Sequence, residues 1–283
     1  MAEGYFNDGT VDIELGEHVF ASPSARRRIV TLDPHSAPAA VLDSGGGILD
    51  LEVTAQRLRE NLGDAERYVY EILRALATSE PGDLGFEDNR GHRHVFGDSV
   101  CIGGSGEVQA YRFVDMRLDF LTPEKQTEPA WGAVPAAPAA YPGTWTLQNY
   151  SACGVSLGVG GSMEIRMGRH YPLREIPRAR GSREGAPESR AHMRFVVQAA
   201  VVADVQNLAT ALENLERQIA GELTLVANGN AYAGCILEAM RPRHTDRKHT
   251  MVEYRFVQEI DLSADGIVGW TTAAPTTTTT TTI

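Results

Sequence analysis

The sequence predicts an α+β chain built as two tandem domains, each combining a small set of antiparallel strands with one amphipathic helix. Three observations predict it. "YRFVDMRLDF" from Tyr111 to Phe120 is echoed by "YRFVQEIDL" from Tyr254 to Leu262. Around both runs the same order of strand, helix, strand and strand can be read, as an internal duplication requires. Between the copies lies a stretch rich in proline and alanine, which cannot continue a sheet interior. The boundaries follow: a first domain over 1–122, a linker over 123–145, a second domain over 146–265 and a threonine-rich tail over 266–283.

Each copy opens with an irregular or hairpin-forming lead that carries arginines, "ARRRIV" in the first and "REIPRARGSR" in the second. A strand-like stretch follows, "ILDLEVTAQ" from Ile48 and "MRFVVQAAVVA" from Met193. Then comes a helix. In "LGDAERYVYEILRALA" the apolar residues Leu62, Ala65, Val69, Ile72, Leu73 and Leu76 recur at three- and four-residue intervals, which places them on one helical face. Val205, Leu208, Leu212, Leu215 and Ile219 do the same in the second copy, with Asp204 as N-cap and Gly221 as stop. Leu62, Val69, Ile72 and Leu76 are therefore expected at sites equivalent to Leu208, Leu212, Leu215 and Ile219. "GDSVCI" and "AGCILEAM" read as short apolar strands. They are joined to the last strand by "GGSGEVQA" in one copy and by the longer, basic "RPRHTDRKHT" in the other. The buried parities of the final strands disagree between copies when the two "YRFV" runs are aligned, so element order is the firmer part of the match.

A length of 283 residues with 42% hydrophobic content supplies enough core for two modest domains. The formal net charge of -11 excludes a chain that grips nucleic acid through a basic footprint, and suits a surface past which a polyanion slides. Cys101, Cys153 and Cys235 are scattered and odd in number, which predicts free thiols rather than a disulfide framework or zinc site. No apolar run approaches the roughly 18 residues of a membrane-spanning helix, and no secretory leader opens the chain, so a soluble protein made in the cytoplasm is expected.

The search for chemistry predicts no catalytic residue, cofactor or metal. His92 and His94 in "GHRHVF" have a spacing that could supply two metal ligands, but no third is signalled, and exposed turn histidines are the plainer reading. His244, Asp246, Arg247, Lys248 and His249 gather on the predicted long hairpin, where a solvated tip holds no fixed geometry. That hairpin is instead predicted to touch the next subunit. Arg241, Arg243, Arg247 and Lys248 would meet an acidic face there, and the threonine tail would add an extended segment to a neighbour's sheet edge.

Taken together, the run from Leu49 to Pro123, with its helix, Gly/Pro break, short "LGFED" strand and closing strand through Phe120, resembles the tail-tube-type domain of long-tailed bacteriophages, and more narrowly their distal tail proteins. The segment from Met193 to Leu262 resembles the same pattern. The match covers about half of each copy and rests on element order and apolar spacing. What it implies is an antiparallel β-sandwich or rolled sheet flanked by one helix in each domain, and subunits joined in a ring around a channel for DNA. It also implies a place in the virion tail after assembly in the host cytoplasm, with other tail proteins as partners. Two such domains in one chain predict a trimer with pseudo-sixfold symmetry, with a hexamer as the alternative. A cytosolic enzyme with a site between the halves, using His92, His94 or His244, and the equivalent component of a non-viral injection device stand as the other readings.

Overall fold

The computed structural model describes residues 3–32, 40–88, 90–110, 112–123, 130–140, 149–170, 173–175, 183–185, 190–202, 208–245 and 249–260. Side chains at 23, 25–48, 123, 149, 159, 170, 173–175, 183–185, 190, 202, 208, 209, 211, 212, 215 and 244–249 lie outside that description, as do the whole of Arg247, Lys248 and the tail. In chain order the first half contains β1 (Glu3–Asn7), β2 (Asp12–Leu32), β3 (Ala40–Leu58), α1 (Leu62–Thr78), β4 (Gly82–Glu87), β5 (Arg93–Gln109) and β6 (Phe113–Pro123). The second contains β7 (Asn149–Ala152), β8 (Val155–His170), β9 (Leu173–Glu175), β10 (Arg183–Gly185), β11 (Arg190–Val202), α2 (Leu208–Gln218), β12 (Glu222–Ala227), β13 (Asn230–Thr245) and β14 (His249–Ile260).

This corrects the predicted α+β class. The protein is mainly β: twelve strands form one antiparallel sheet, β9 and β10 pair separately, and the described residues hold two helices, of 17 and 11 residues. The physical reason is that much of what reads as loop is strand. The arginine- and glycine-bearing leads become β2 and β3, and "GGSGEVQ" lies inside β5 rather than connecting two strands. A flanking helix for each domain is also wrong. α1 packs against β2, β5 and β6 of its own half and equally against β8, β11 and β14 of the other, so it bridges both.

The two halves share their connectivity. In the first, β1 pairs with β2, β2 with β3, β3 with β6, β6 with β5, β5 with β4, and β4 returns to β1. In the second, β7, β8, β11, β14, β13 and β12 repeat that circuit in the same order. The register equates Phe120 with Phe256. Phe120 faces Leu51 and Cys101 beside a bulge at Cys101/Gly103, while Phe256 faces Phe195 and Leu237 beside a bulge at Leu237/Ala239. The "YRFV" runs are therefore not equivalent positions. Aligning them displaces the final strands by seven residues, an odd number, which is why their buried parities disagreed.

One continuous core fills both rolls. Phe6, Ile13, Leu15, Val53 and Leu118 line the first, Phe195, Val197, Leu225 and Tyr254 the second, and α1 joins them through Val69, Ile72, Leu73 and Leu76. Ile219, just past α2, is fully buried. The equivalence expected of Leu208, Leu212 and Leu215 falls on side chains outside the described residues.

Candidate functional site

The feature that organises this molecule is the seam between the halves. β5 and β8 pair edge to edge, Gly103 opposite Gly168, Ser105 opposite Arg166 and Glu107 opposite Glu164. The seam turns β2-β3-β6-β5-β8-β11-β14-β13 into one eight-stranded wall. Behind each group of four, two strands close the roll.

Glycines on β5 let α1 approach the seam. A Cβ on Gly106 would stand 2.3 Å from Val69 Cγ1, and one on Gly104 2.9 Å from both Leu73 and Leu118. The helix starts at Asn61, whose side chain accepts from the Asp64 N–H at 2.9 Å, the ordinary N-cap geometry. The second half holds both its ends. Asn230 donates to the Gly63 carbonyl at 2.8 Å in the first turn, and Arg169 donates to the carbonyl of the C-cap Ser79 at 2.7 Å, an acceptor that a helix end leaves open. Tyr70 donates to Gln258 at 3.1 Å and rests among the rings of Phe195 and Tyr232.

A buried carboxylate completes the contact. The β12–β13 turn is Asn228-Gly229, both at positive φ as a two-residue hairpin turn requires, and it aims the Asn228 amide at Glu66, 2.9 Å from each oxygen. The Tyr150 hydroxyl lies 3.4 Å from Glu66. Burial pushes the Glu66 carboxyl up to about 7, against hydrogen bonds from Asn228 and Tyr150 that pull it down. Below the ordinary value of 4.5 both native and unfolded chains are protonated here and the contribution to stability is complete. As pH rises towards 7 the unfolded chain releases the proton first, so that contribution is lost. Wild type should lose stability relative to Glu66→Gln across that window and run parallel to it above, as urea midpoints in a pH series would show.

The opposite face of the wall is polar. Around the seam it forms an open depression of about 520 Å³ floored by Gly103, Gly104 and Gly168 and walled by Glu52, Asp119 and Arg166 among others. Arginines on this face are held by carboxylates. Arg166 grips Glu164 through two bonds of 2.8 and 2.7 Å, Arg194 reaches Glu238 at 3.1 Å, and Arg243 and Arg255 reach Glu253 at 2.7 and 2.8 Å. Desolvation raises the Glu253 carboxyl, but the two arginines outweigh it and hold it below the usual range. Partial burial, then the neighbouring Glu52 and Asp50, push Asp119 up. Arg166 and Arg194 are thus paired, and Glu52, Asp119 and Glu164 share the depression with Arg117, so the face is of mixed charge rather than a basic footprint for phosphate.

The sequence-predicted residues are distributed as follows. Arg241 and Arg243 are exposed on the far part of β13, beyond its pairing with β12. Arg247 and Lys248 lie outside the described residues. His92 and His94 sit exposed at the β4–β5 turn with Asp88 Oδ2 at 3.3 and 3.4 Å. That turn is organised by Asp88 accepting the backbone N–H groups of Arg90 and His92, both at 2.8 Å; these bonds, the one from His92 foremost, hold its carboxyl down at about 2. Among the described residues no group of three or more His, Cys, Asp and Glu could hold a metal ion. Sequence reasoning missed the seam, Glu66 and Asn228. The Asn-Gly pair flanked by strand residues was the legible signal for the turn that delivers Asn228. Within 130–140 the linker is docked on the first half: Trp131 packs edge-on against Tyr5 at 5.2 Å beneath Arg93, and the Gly132 N–H donates to the Tyr5 hydroxyl at 2.8 Å.

No protein-family model matches the chain, and no curated protein matches it significantly in sequence.

Proposed function

We propose that this protein is a structural component of a phage or phage-like tail, a distal tail or tube subunit that forms a ring around a DNA channel. One observation carries the reading. Two halves of identical connectivity are joined edge to edge at β5 and β8, so one chain already contains the contact by which repeated wall units propagate into a curved surface. Three chains would supply six such units, giving threefold symmetry and a pseudo-sixfold wall. The polar face turns to the channel, where paired arginines, in a chain of net charge -11, leave no basic footprint to hold a passing polyanion. α1 lies behind the wall.

Native mass spectrometry with rotational averages of negatively stained particles tests this. Rings of three chains with six similar lobes are expected; a hexamer of whole chains would retain the ring and overturn the count. A chain that stays monomeric at micromolar concentration would overturn the reading.

A further inference from the structure

We infer that the edge of β13, over Ala239–Pro242, pairs antiparallel with the edge of β2, over Pro23–Arg26, in a second copy of this chain, repeating between chains the β5–β8 seam within it. The inference deepens the ring reading by naming the surface that closes it.

The equivalences are fixed by register. With Phe120 matched to Phe256 and the bulges at Cys101/Gly103 and Leu237/Ala239 aligned, Gly103 corresponds to Ala239, Ser105 to Arg241 and Gly106 to Pro242; a further bulge at Pro242/His244 leaves Arg243 without a counterpart on β5. Leu51 faces Phe120 and Pro23, while Phe195 faces Phe256 and Ile165, so Ser22, Ser24 and Arg26 correspond to Glu164, Arg166 and Gly168. The seam pairs Gly103 with Gly168, Ser105 with Arg166 and Glu107 with Glu164. Between chains the first two of these rungs become Ala239 with Arg26 and Arg241 with Ser24. Among the described residues both edges are open. β1 covers β2 only as far as Glu17, and β12 covers β13 only as far as Ile236.

Two features favour a second copy as the occupant. The first is that the two edges are the counterparts of the two that already pair at the seam. The second is charge. Ser24 and Ser22 face Asp50 and Glu52 on β3, so Arg241 would arrive one strand from carboxylates across small side chains. Pro23 and Pro242 occupy facing positions, so one rung lacks N–H donors. Such prolines also blunt an edge against indiscriminate pairing in the free subunit.

Cysteine pairs in a Cys153→Ser background test the register. Ser24→Cys/Arg241→Cys should give, on oxidation, a covalent ladder ending at three chains on a denaturing gel. Ser105→Cys/Arg166→Cys, the equivalent rung inside one chain, should close without any change in chain number and calibrates the chemistry. Ser22→Cys/Arg241→Cys, out of register and beyond the roughly 7 Å Cα limit for a disulfide, should stay uncrosslinked. Native mass spectrometry of the reduced variants confirms that they assemble; if the first pair does not, Arg26→Cys/Ala239→Cys on the adjacent rung is read the same way. Rings that form while only the internal control crosslinks overturn the edge pairing and leave the ring reading standing. A ladder beyond three supports the pairing and overturns the count. Wild type that remains monomeric overturns both.

Discussion

Replacing Arg59 with methionine is expected to destabilise the protein by about 3 to 5 kcal/mol, because it strands a buried carboxylate. Arg59 and Asp64 are both almost completely buried. The guanidinium forks onto Asp64 with bonds of 3.0 and 2.8 Å and lies 4.8 Å above the Tyr68 ring. Its remaining donors reach the carbonyls of Pro138 and Ala139 at 2.9 and 3.1 Å, which ties the linker to the start of α1. Lysine cannot reproduce this fork, so Arg59→Lys should recover only part of the loss. Arg59→Met with Asp64→Leu should cost less than Arg59→Met alone, since no charge is then left without its partner. Urea denaturation measures all three. Limited proteolysis should show faster cleavage within 130–140 in both variants that carry methionine at 59; unchanged cleavage would mean that Tyr5 and Trp131 hold the segment unaided.

Gly106→Val should cost about 3 kcal/mol or more and weaken the seam itself. The added Cβ falls 2.3 Å from Val69 Cγ1, a distance real side chains do not reach, so α1 must lift or β5 must shift. Val69→Ala in the same chain makes room on the helix. The double variant should be more stable than the sum of the two single changes predicts, a coupling that only residues in contact show. Thermal melts of the four chains decide it. Additive losses would place the damage elsewhere in β5.

The α1 sequence announces its own face because the stripe from Leu62 to Leu76 is a property of the helix alone. The wall is another matter. Gly104 and Gly106 weigh against a strand when judged locally, and their value lies in how closely Val69 and Leu73 can approach, a tertiary fact about residues more than thirty positions away. The repeated "YRFV" pointed to duplication through positions that are not equivalent; the equivalence lies in pairing order, which a single strand's composition does not encode. Arg241 and Arg243 were visible as part of a basic cluster. That Arg243 bonds Glu253, and that β5 meets β8 some sixty residues downstream, depends on pairings that no local pattern records. Proline and alanine marked the linker, but its docking rests on single side chains, Tyr5 and Arg59, that composition does not single out.

The bridging position of α1 also has a consequence in time. The ribosome finishes β6 at Pro123 and completes β11 only at Val202, roughly 4 to 16 s later at ordinary synthesis rates. Throughout that interval the side of α1 that will meet β8 and β11 has no partner, and the carbonyls at its end wait for Arg169. The first half therefore emerges as an incomplete roll with apolar surface open, the kind of nascent chain that chaperones engage. A stop codon after the linker should yield aggregated protein, while the same residues supplied with the second half in one chain fold.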